Sequence, residues 1–311
     1  MSDTLLRMRL FAAVYEERSF TAAAQRENAT QSGVTQHVRK LEDQHGVKLF
    51  LRGTGSVVPT PAGDAYYRGC INVLRAQEEA RETIRAYGGS LEGEVLVGLT
   101  PTMTRAALAG SLAKFKQAHP NVSVRVIDAY SDIVVAKVRA GELDFGIVPG
   151  FSSDPGLRGE LFARTPEFLV SAPSARMGLV HGKALRLSTL PPIKLVVPSM
   201  LQVRRTHLER YLAATGTVVA ERMEIDSSLA AIDFVSQTDW VSVHPGIAMM
   251  REVESRTLVV NPIVDPVLLL DLFRIERARK PLTAPAKAFL AMLKSGTDAL
   301  SAAAERLGRQ D

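Results

Sequence analysis

Apolar residues in the first sixty positions recur at helical spacing. Leu6, Leu10, Ala13, Val14 and Glu17 follow an i, i+4, i+7 rhythm and predict a first helix with one buried face. Ser19 or Thr21 can cap a second helix through Ala22-Ala23-Ala24, whose small side chains let another helix pack closely. Thr30 is a good N-cap for a third helix, in which Val34, Val38 and Leu41 point inward. Ser32, Thr35, Gln36, Arg39 and Asp43 then fall on its outer face. Gly46 ends that helix, and residues 47–52 with Val57-Val58, around Gly53-Thr-Gly-Ser56, predict a hairpin wing.

Beyond Pro61 the pattern predicts one unbroken helix over 61–90. Tyr66, Cys70, Val73, Gln77, Ala80, Ile84 and Tyr87 are spaced +4, +3, +4, +3, +4, +3, a heptad seam that a partner chain would satisfy. Gln77 would weaken that seam slightly while fixing its register, and Cys70 within it reads as core. From Glu94 onward short Val/Leu/Ile runs alternate with helical stretches, the signature of an α/β sheet with parallel strands. The expected strands are Val95–Leu99, Val122–Ile127, Phe145–Val148, Phe168–Val170, Leu195–Val197, Arg222–Ile225, Trp240–Val243 and Val267–Phe273. Helices are expected to about Gln117, from Ser131 to Ala140 and from Ala284.

Composition narrows the class. The chain has 311 residues, 46% of them hydrophobic and 23% charged, which fits an ordinary globular protein of two or more cores. One cysteine excludes an internal disulfide and a cysteine-based zinc site, and the six histidines show no metal spacing. No signal peptide or membrane span is expected, so the protein is placed in the cytoplasm with no membrane partner. The net charge of +5 permits nucleic acid without implying it. Residues 1–60 carry eight basic against six acidic residues, a weak footprint, so any case for DNA must rest on where the charges lie. Gln31, Ser32, Thr35 and Gln36 suit base edges and phosphates in a major groove, and Arg39 and Lys40 suit the backbone.

Together Phe11-Ala-Ala-Val, Ser19-Phe-Thr-Ala-Ala-Ala, Val34-Thr-Gln, Leu41-Glu, Gly46-Val-Lys-Leu-Phe, Arg52 and Thr60-Pro-Ala-Gly resemble the winged helix-turn-helix of LysR-type transcriptional regulators. Length and the α/β remainder extend the resemblance over essentially the full chain. It implies an N-terminal winged helix-turn-helix (1–60), a linker and dimerisation helix (61–90) and a two-subdomain α/β effector domain like periplasmic binding proteins (91–311). Subdomain I would span about 91–160 and 266–311, subdomain II about 161–265. The implied partners are double-stranded promoter DNA, a small-molecule effector, RNA polymerase if the protein activates, and a homodimer through the linker helix extending to a homotetramer. Arg52 joins the expected DNA contacts. Ser32, Gly33 and Gln36 depart from the residues usual in the family's recognition helix, and the wing tip lacks an arginine, which predicts a shallow salt dependence.

Ligands in α/β sheets collect beyond the carboxyl ends of the strands. Thr100, Thr102, Ser131, Pro149, Ser199, Gln202, Ser227 and His244 are therefore expected to line an effector cleft. Thr102 and Ser131 are read as helix caps there, with Arg204 as the cation if the effector is an organic acid. No P-loop, dinucleotide fingerprint, nucleophile elbow or zincin pair occurs, so neither enzyme activity nor a cofactor is expected. A solute-binding protein is a weaker reading because of the front domain, and a DNA-binding regulator whose α/β domain only oligomerises is the nearer alternative.

Overall fold

The computed structural model describes residues 2–52, 57–86, 91–152, 154–175, 177–200 and 202–309. Two compact units emerge. One is Met1–Gly89 with Ser153–Arg158 and Glu276–Thr283; the other is Ser90–Ser152, Gly159–Ile275 and Ala284–Asp311.

In the first unit, α1 (Ser2–Glu17), α2 (Phe20–Arg26) and α3 (Gln31–His45) are followed by β1 (Phe50–Arg52), β2 (Val57–Pro59) and α4 (Pro61–Ala86). Ser19 caps α2 by accepting from Ala22 N, and Thr30 caps α3 by accepting from Gly33 N. Gly46 closes α3 at φ 64°, a left-handed conformation that costs glycine little. Phe11, Ala12, Ala13, Val14, Val34 and Val38 form the fully buried centre. The Phe11 ring meets Phe50 at 5.2 Å and Tyr66 at 4.9 Å, so wing and linker helix share one core with the helices. Buried Glu42 ties α3 to the wing, its carboxylate accepting from Leu49 N at 2.9 Å and Phe50 N at 3.3 Å. The Thr60-Pro61-Ala62-Gly63 run also has a mechanical reason. Thr60 Oγ1 donates to Lys48 O at 2.7 Å and accepts from Gly63 N at 3.0 Å. A Cβ at Gly63 would lie 2.2 Å from Leu49 O, so only glycine lets α4 begin this close to the wing.

The linker helix departs from the expected seam. Cys70, with Tyr67 and Leu74, is buried in the core of this same unit, and Tyr66 packs against it. These positions therefore face α1 and the wing instead of standing free for a partner. Val73, Ala80 and Ile84 remain exposed, Gln77 is half-buried, and Tyr87 lies outside the described residues. The returning segments join this unit through ion pairs: Arg75 with Glu276 at 2.9 Å, and Arg279 with Glu27 at 3.2 Å and Glu16 at 3.4 Å.

The second unit is built on a nine-stranded sheet. Its strands are β3 (Gly93–Leu99), β4 (Val122–Asp128), β5 (Phe145–Pro149), β6 (Leu157–Ser171), β7 (Ile193–Val197), β8 (Val219–Glu224), β9 (Val241–Pro245), β10 (Val259–Pro262) and β11 (Leu269–Arg277). Their order is β4-β3-β5-β11-β6-β9-β7-β8, with β10 also on β6. β3 pairs in parallel with β4 and β5, and β7 with β8 and β9. The parallel strands expected are present, and β6 runs antiparallel to β9 and β10, so the sheet is mixed. β6 is also a single strand of 15 residues where only Phe168–Val170 was expected, because its charged first half hides the apolar pattern. β10 was not anticipated.

The helices are α5 (Pro101–Met103), which continues through a π turn at Thr104–Leu108 into α6 (Ala109–Ala118), then α7 (Ser131–Ala140), α8 (Val203–Thr215), α9 (Ser228–Ser236), α10 (Gly246–Ser255) and α11 (Ala284–Leu307). β3, β4, β5 and α7 belong to one lobe. β7, β8, β9, α8 and α9 belong to the other, and β11 and β6 lie between them in the strand order. Among the described residues no helix is long and apolar enough to cross a membrane.

Candidate DNA-binding face and effector cleft

On α3 the inward residues Val34, Val38 and Leu41 leave Gln31, Ser32, Gln36, Arg39, Lys40 and Asp43 exposed on the opposite side. Thr35 is half-buried, and its hydroxyl donates to Gln31 O at 2.9 Å, so it presents mainly its methyl group. The Ser32 hydroxyl lies 3.3 Å from Thr30 Oγ1. Among the described residues Arg39 and Lys40 form no ion pair, which leaves both charges available to phosphates. Arg52 is the last residue of β1; its side chain and the wing tip 53–56 lie outside the described residues.

In the α/β unit a cavity of about 30 Å³ opens at the carboxyl ends of five strands. Thr100, Pro101 and Thr102 follow β3, Tyr130 and Ser131 follow β4, and Pro149 ends β5. Gln202, Val203 and Arg204 follow β7, and Ser228 follows β8. Four helix starts therefore converge on it. The first intrahelical bond of α7 runs from Val134 N to Tyr130 O, which leaves the amides of Ser131, Asp132 and Ile133 without a partner inside the helix. α8 likewise begins its bonding with Arg205 N to Gln202 O. Such ends attract negative charge. Thr100 is 5% exposed and its Oγ1 has no partner.

Six of the nine expected effector residues line this cavity: Thr100, Thr102, Ser131, Pro149, Gln202 and Arg204. Two capping assignments change. Thr100, not Thr102, holds the N-cap position of α5, and Tyr130, not Ser131, holds that of α7; neither makes a side-chain cap bond. Ser227 caps α9 by accepting from Ala230 N, which directs its side chain to the helix. Ser199 stands behind the lining, donating its amide to Asp226 at 3.1 Å. His244 is fully buried with Nε2 at 3.0 Å from Ser242 Oγ. Burial, reinforced by the Arg204 and Arg105 charges, pushes its pKa down to about 3, so it stays neutral.

Arg204 is the main correction. It is 8% exposed and bound edge-on to Glu167, with Nε to Oε1 at 3.1 Å and Nη2 to Oε2 at 2.8 Å, so it is no free cation for an acid.

Tyr130 and Asp226 were missed from sequence. Burial tends to raise the Asp226 carboxyl, but donors from Ser199, Gln202 and Tyr130 outweigh it and hold the pKa below its usual value. The Gln202 amide approaches at 2.6 Å. Their only sequence signal is position, each directly before a Ser-led helix start. Among the described residues no cluster of His, Cys, Asp or Glu could hold a metal.

The two parts thus define a DNA-binding head covalently followed by a two-lobed α/β binding unit. Residues 5–64 match the model for bacterial regulatory helix-turn-helix proteins of the lysR family, and residues 88–298 match the LysR substrate binding domain. The chain belongs to the LysR family of DNA-binding transcriptional regulators with an effector-binding domain. It is 27% identical to the uncharacterized HTH-type transcriptional regulator YfeR of Shigella flexneri over 98% of each chain. It is 34% identical to the HTH-type transcriptional activator AaeR of Escherichia coli over 55% of each chain. Full-length CbnR in complex with its target DNA shares the fold at a TM-score of 0.57 and 19% identity, covering 94% of this chain and 99% of that one.

Proposed function

We propose that this regulator senses a small organic acid in the inter-lobe cavity and reads DNA through α3. The observation that carries the effector reading is the cavity's chemistry: the α7 start, whose first three amides have no partner inside the helix, beside a buried, unpartnered Thr100 hydroxyl. Thr102 and Ser131 supply further donors, Pro101, Pro149 and Val203 supply apolar walls, and Gln202 lines the wall with its amide held by Asp226. Ser199 acts from behind the wall, through Asp226. The ligand acts by favouring one arrangement of the lobes over another, without chemistry. On DNA, Gln31, Ser32 and Gln36 face the base edges, with the Thr35 methyl beside them. Arg39, Lys40 and Arg52 hold phosphates.

The test is thermal unfolding of the full chain with a panel of aliphatic and aromatic carboxylates. A ligand at 100 times its dissociation constant stabilises by about 2.7 kcal/mol. If no carboxylate raises the unfolding temperature while specific DNA binding persists, the α/β unit serves only to oligomerise.

The homodimer forms through the part of α4 that its own head leaves uncovered, Val73, Ala80 and Ile84. Burying Ile84, 76% exposed in the single chain, favours association. Ile84→Glu lowers the mass seen by sedimentation if this reading is right. An unchanged mass means that the contact lies elsewhere.

A further inference from the structure

Arg204 lies in the first turn of α8, on the cavity wall. A guanidinium there is desolvated and also meets the positive end of the helix, so an unpaired charge would be strongly disfavoured. Glu167, 3% exposed on β6, answers both effects with its two-pronged pair, and Arg204 Nη2 also donates to Val243 O at 3.0 Å. The unit is closed and neutral. Arg105, the other cation near His244, is likewise paired, with Glu252 and Ala248 O. Across the same lobe Asp226 accepts from Ser199 N and Gln202 Nε2, and Tyr130 reaches it from the opposite lobe. The protein's own carboxylate thus already sits beside the α8 start. What remains for a ligand anion is the first lobe: the Thr100 hydroxyl and the opening turn of α7.

We infer that Glu167 is the positioning residue that sets the effector's charge. By neutralising Arg204 it leaves a cleft for a ligand with one carboxylate, seated on the first lobe, whose remainder toward α8 and α9 is uncharged. Dicarboxylates are rejected because their second charge meets Asp226 and a neutral pair. This rests on the organic-acid reading above and deepens it.

Calorimetric titration of the full chain with matched pairs tests it: benzoate against phthalate, and hexanoate against adipate. In every pair that binds, the wild type should favour the monocarboxylate by about tenfold or more. Glu167→Gln frees the guanidinium and should shift that ratio toward the dicarboxylate by about tenfold or more. The double variant Glu167→Gln/Arg204→Met, which removes both charges, should return to the wild-type ratio. It should keep monocarboxylate affinity within about threefold, because Arg204 does not hold the head group. If Glu167→Gln does not fold, the double variant decides. A loss of monocarboxylate affinity of about a hundredfold there would mean that Arg204 binds the effector directly, which overturns the inference. A wild type that takes dicarboxylates equally well, or a ratio indifferent to Glu167→Gln, also overturns it. These outcomes leave the organic-acid reading standing. If neither member of any pair binds the wild type, that reading falls and takes this one with it.

Discussion

Gly98 on β3 and Gly146 on β5 are direct register partners beneath α7. A Cβ at Gly146 would lie 2.3 Å from Val134 Cγ1, and one at Gly98 would lie 2.7 Å from the same atom. The glycine pair is what lets α7 rest on the sheet, and α7 carries Ser131 to the cavity three residues before Val134. Gly146→Ala therefore forces the helix back by roughly 1 Å or twists Val134 off its rotamer. Two effects compete. Alanine restricts the unfolded chain and stabilises by about 0.4–1 kcal/mol where it fits. Overpacking costs about 1–3 kcal/mol. At 2.3 Å from a fully buried side chain the clash wins, for a net loss of about 1–2 kcal/mol. In a domain of this size that is a fall of about 2–8 °C in unfolding temperature, read by scanning calorimetry. Val134→Ala alone should also destabilise, by about 2 kcal/mol for two lost methyl groups. In the double variant the new methyl occupies part of the space vacated, so the penalties should fall short of additive by about 1 kcal/mol. Unchanged stability in Gly146→Ala, or strictly additive losses, would refute the close-packing argument.

Arg39→Ala should weaken binding to all DNA sequences alike and reduce the log–log salt slope by about one, measured by fluorescence anisotropy at several salt concentrations. Gln36→Ala should instead change discrimination at one or two base pairs by about 1–3 kcal/mol with the slope unaltered. For His244 the unfolded chain takes up a proton below its ordinary value near 6.5, while the folded chain resists until about 3. The unfolded state therefore binds more protons across that window, and stability falls by about 1.4 kcal/mol per pH unit on acidification. Urea titrations at pH 7 and pH 5 should show a smaller difference in His244→Gln than in the wild type. An equal difference would mean that His244 is not the source. Burial pushes the Cys70 thiol up to about 11 despite its hydrogen bond with Tyr66, so a disulfide reagent at pH 8 should label it only as the chain unfolds. Rapid labelling of the native protein would contradict that packing.

What could be read from sequence follows from how far apart the interacting groups lie along the chain. Thr30 and Gly46 mark the ends of α3 because a cap acts on the next three residues and a left-handed stop acts on the last turn. Likewise Thr60-Pro61-Ala62-Gly63 is legible because its contact, Leu49 O, belongs to the adjoining wing. The heptad on α4 misled for a different reason. A period of 3.5 shows that one face wants apolar company, but not whose, and α1 satisfies Tyr66 and Cys70 before any second chain does. In the cleft the decisive partner of Arg204 stands 37 residues earlier, on a strand whose charged first half concealed it. A lone arginine in a helix start reads as a ligand for an acid, until the buried carboxylate that neutralises it is known.

That carboxylate also bears on how sensing must be measured. On the organic-acid reading, a cavity of about 30 Å³, well below the roughly 300–1,000 Å³ of a usual ligand site, widens by parting of the lobes to admit its ligand. Tyr130, on the lobe of β4, helps to hold the Asp226 carboxyl on the lobe of β8 below its usual pKa, and parting the lobes weakens that influence. Apparent affinity is then the intrinsic affinity multiplied by the fraction of molecules already parted, and a variant can change either factor. Absolute dissociation constants therefore cannot separate a residue that touches the ligand from one that holds the lobes together. A ratio between two ligands that share one frame and differ in charge can, because the parting cost that the frame sets is common to both and cancels. Charge selectivity, not affinity, is the quantity in which Glu167 must reveal itself.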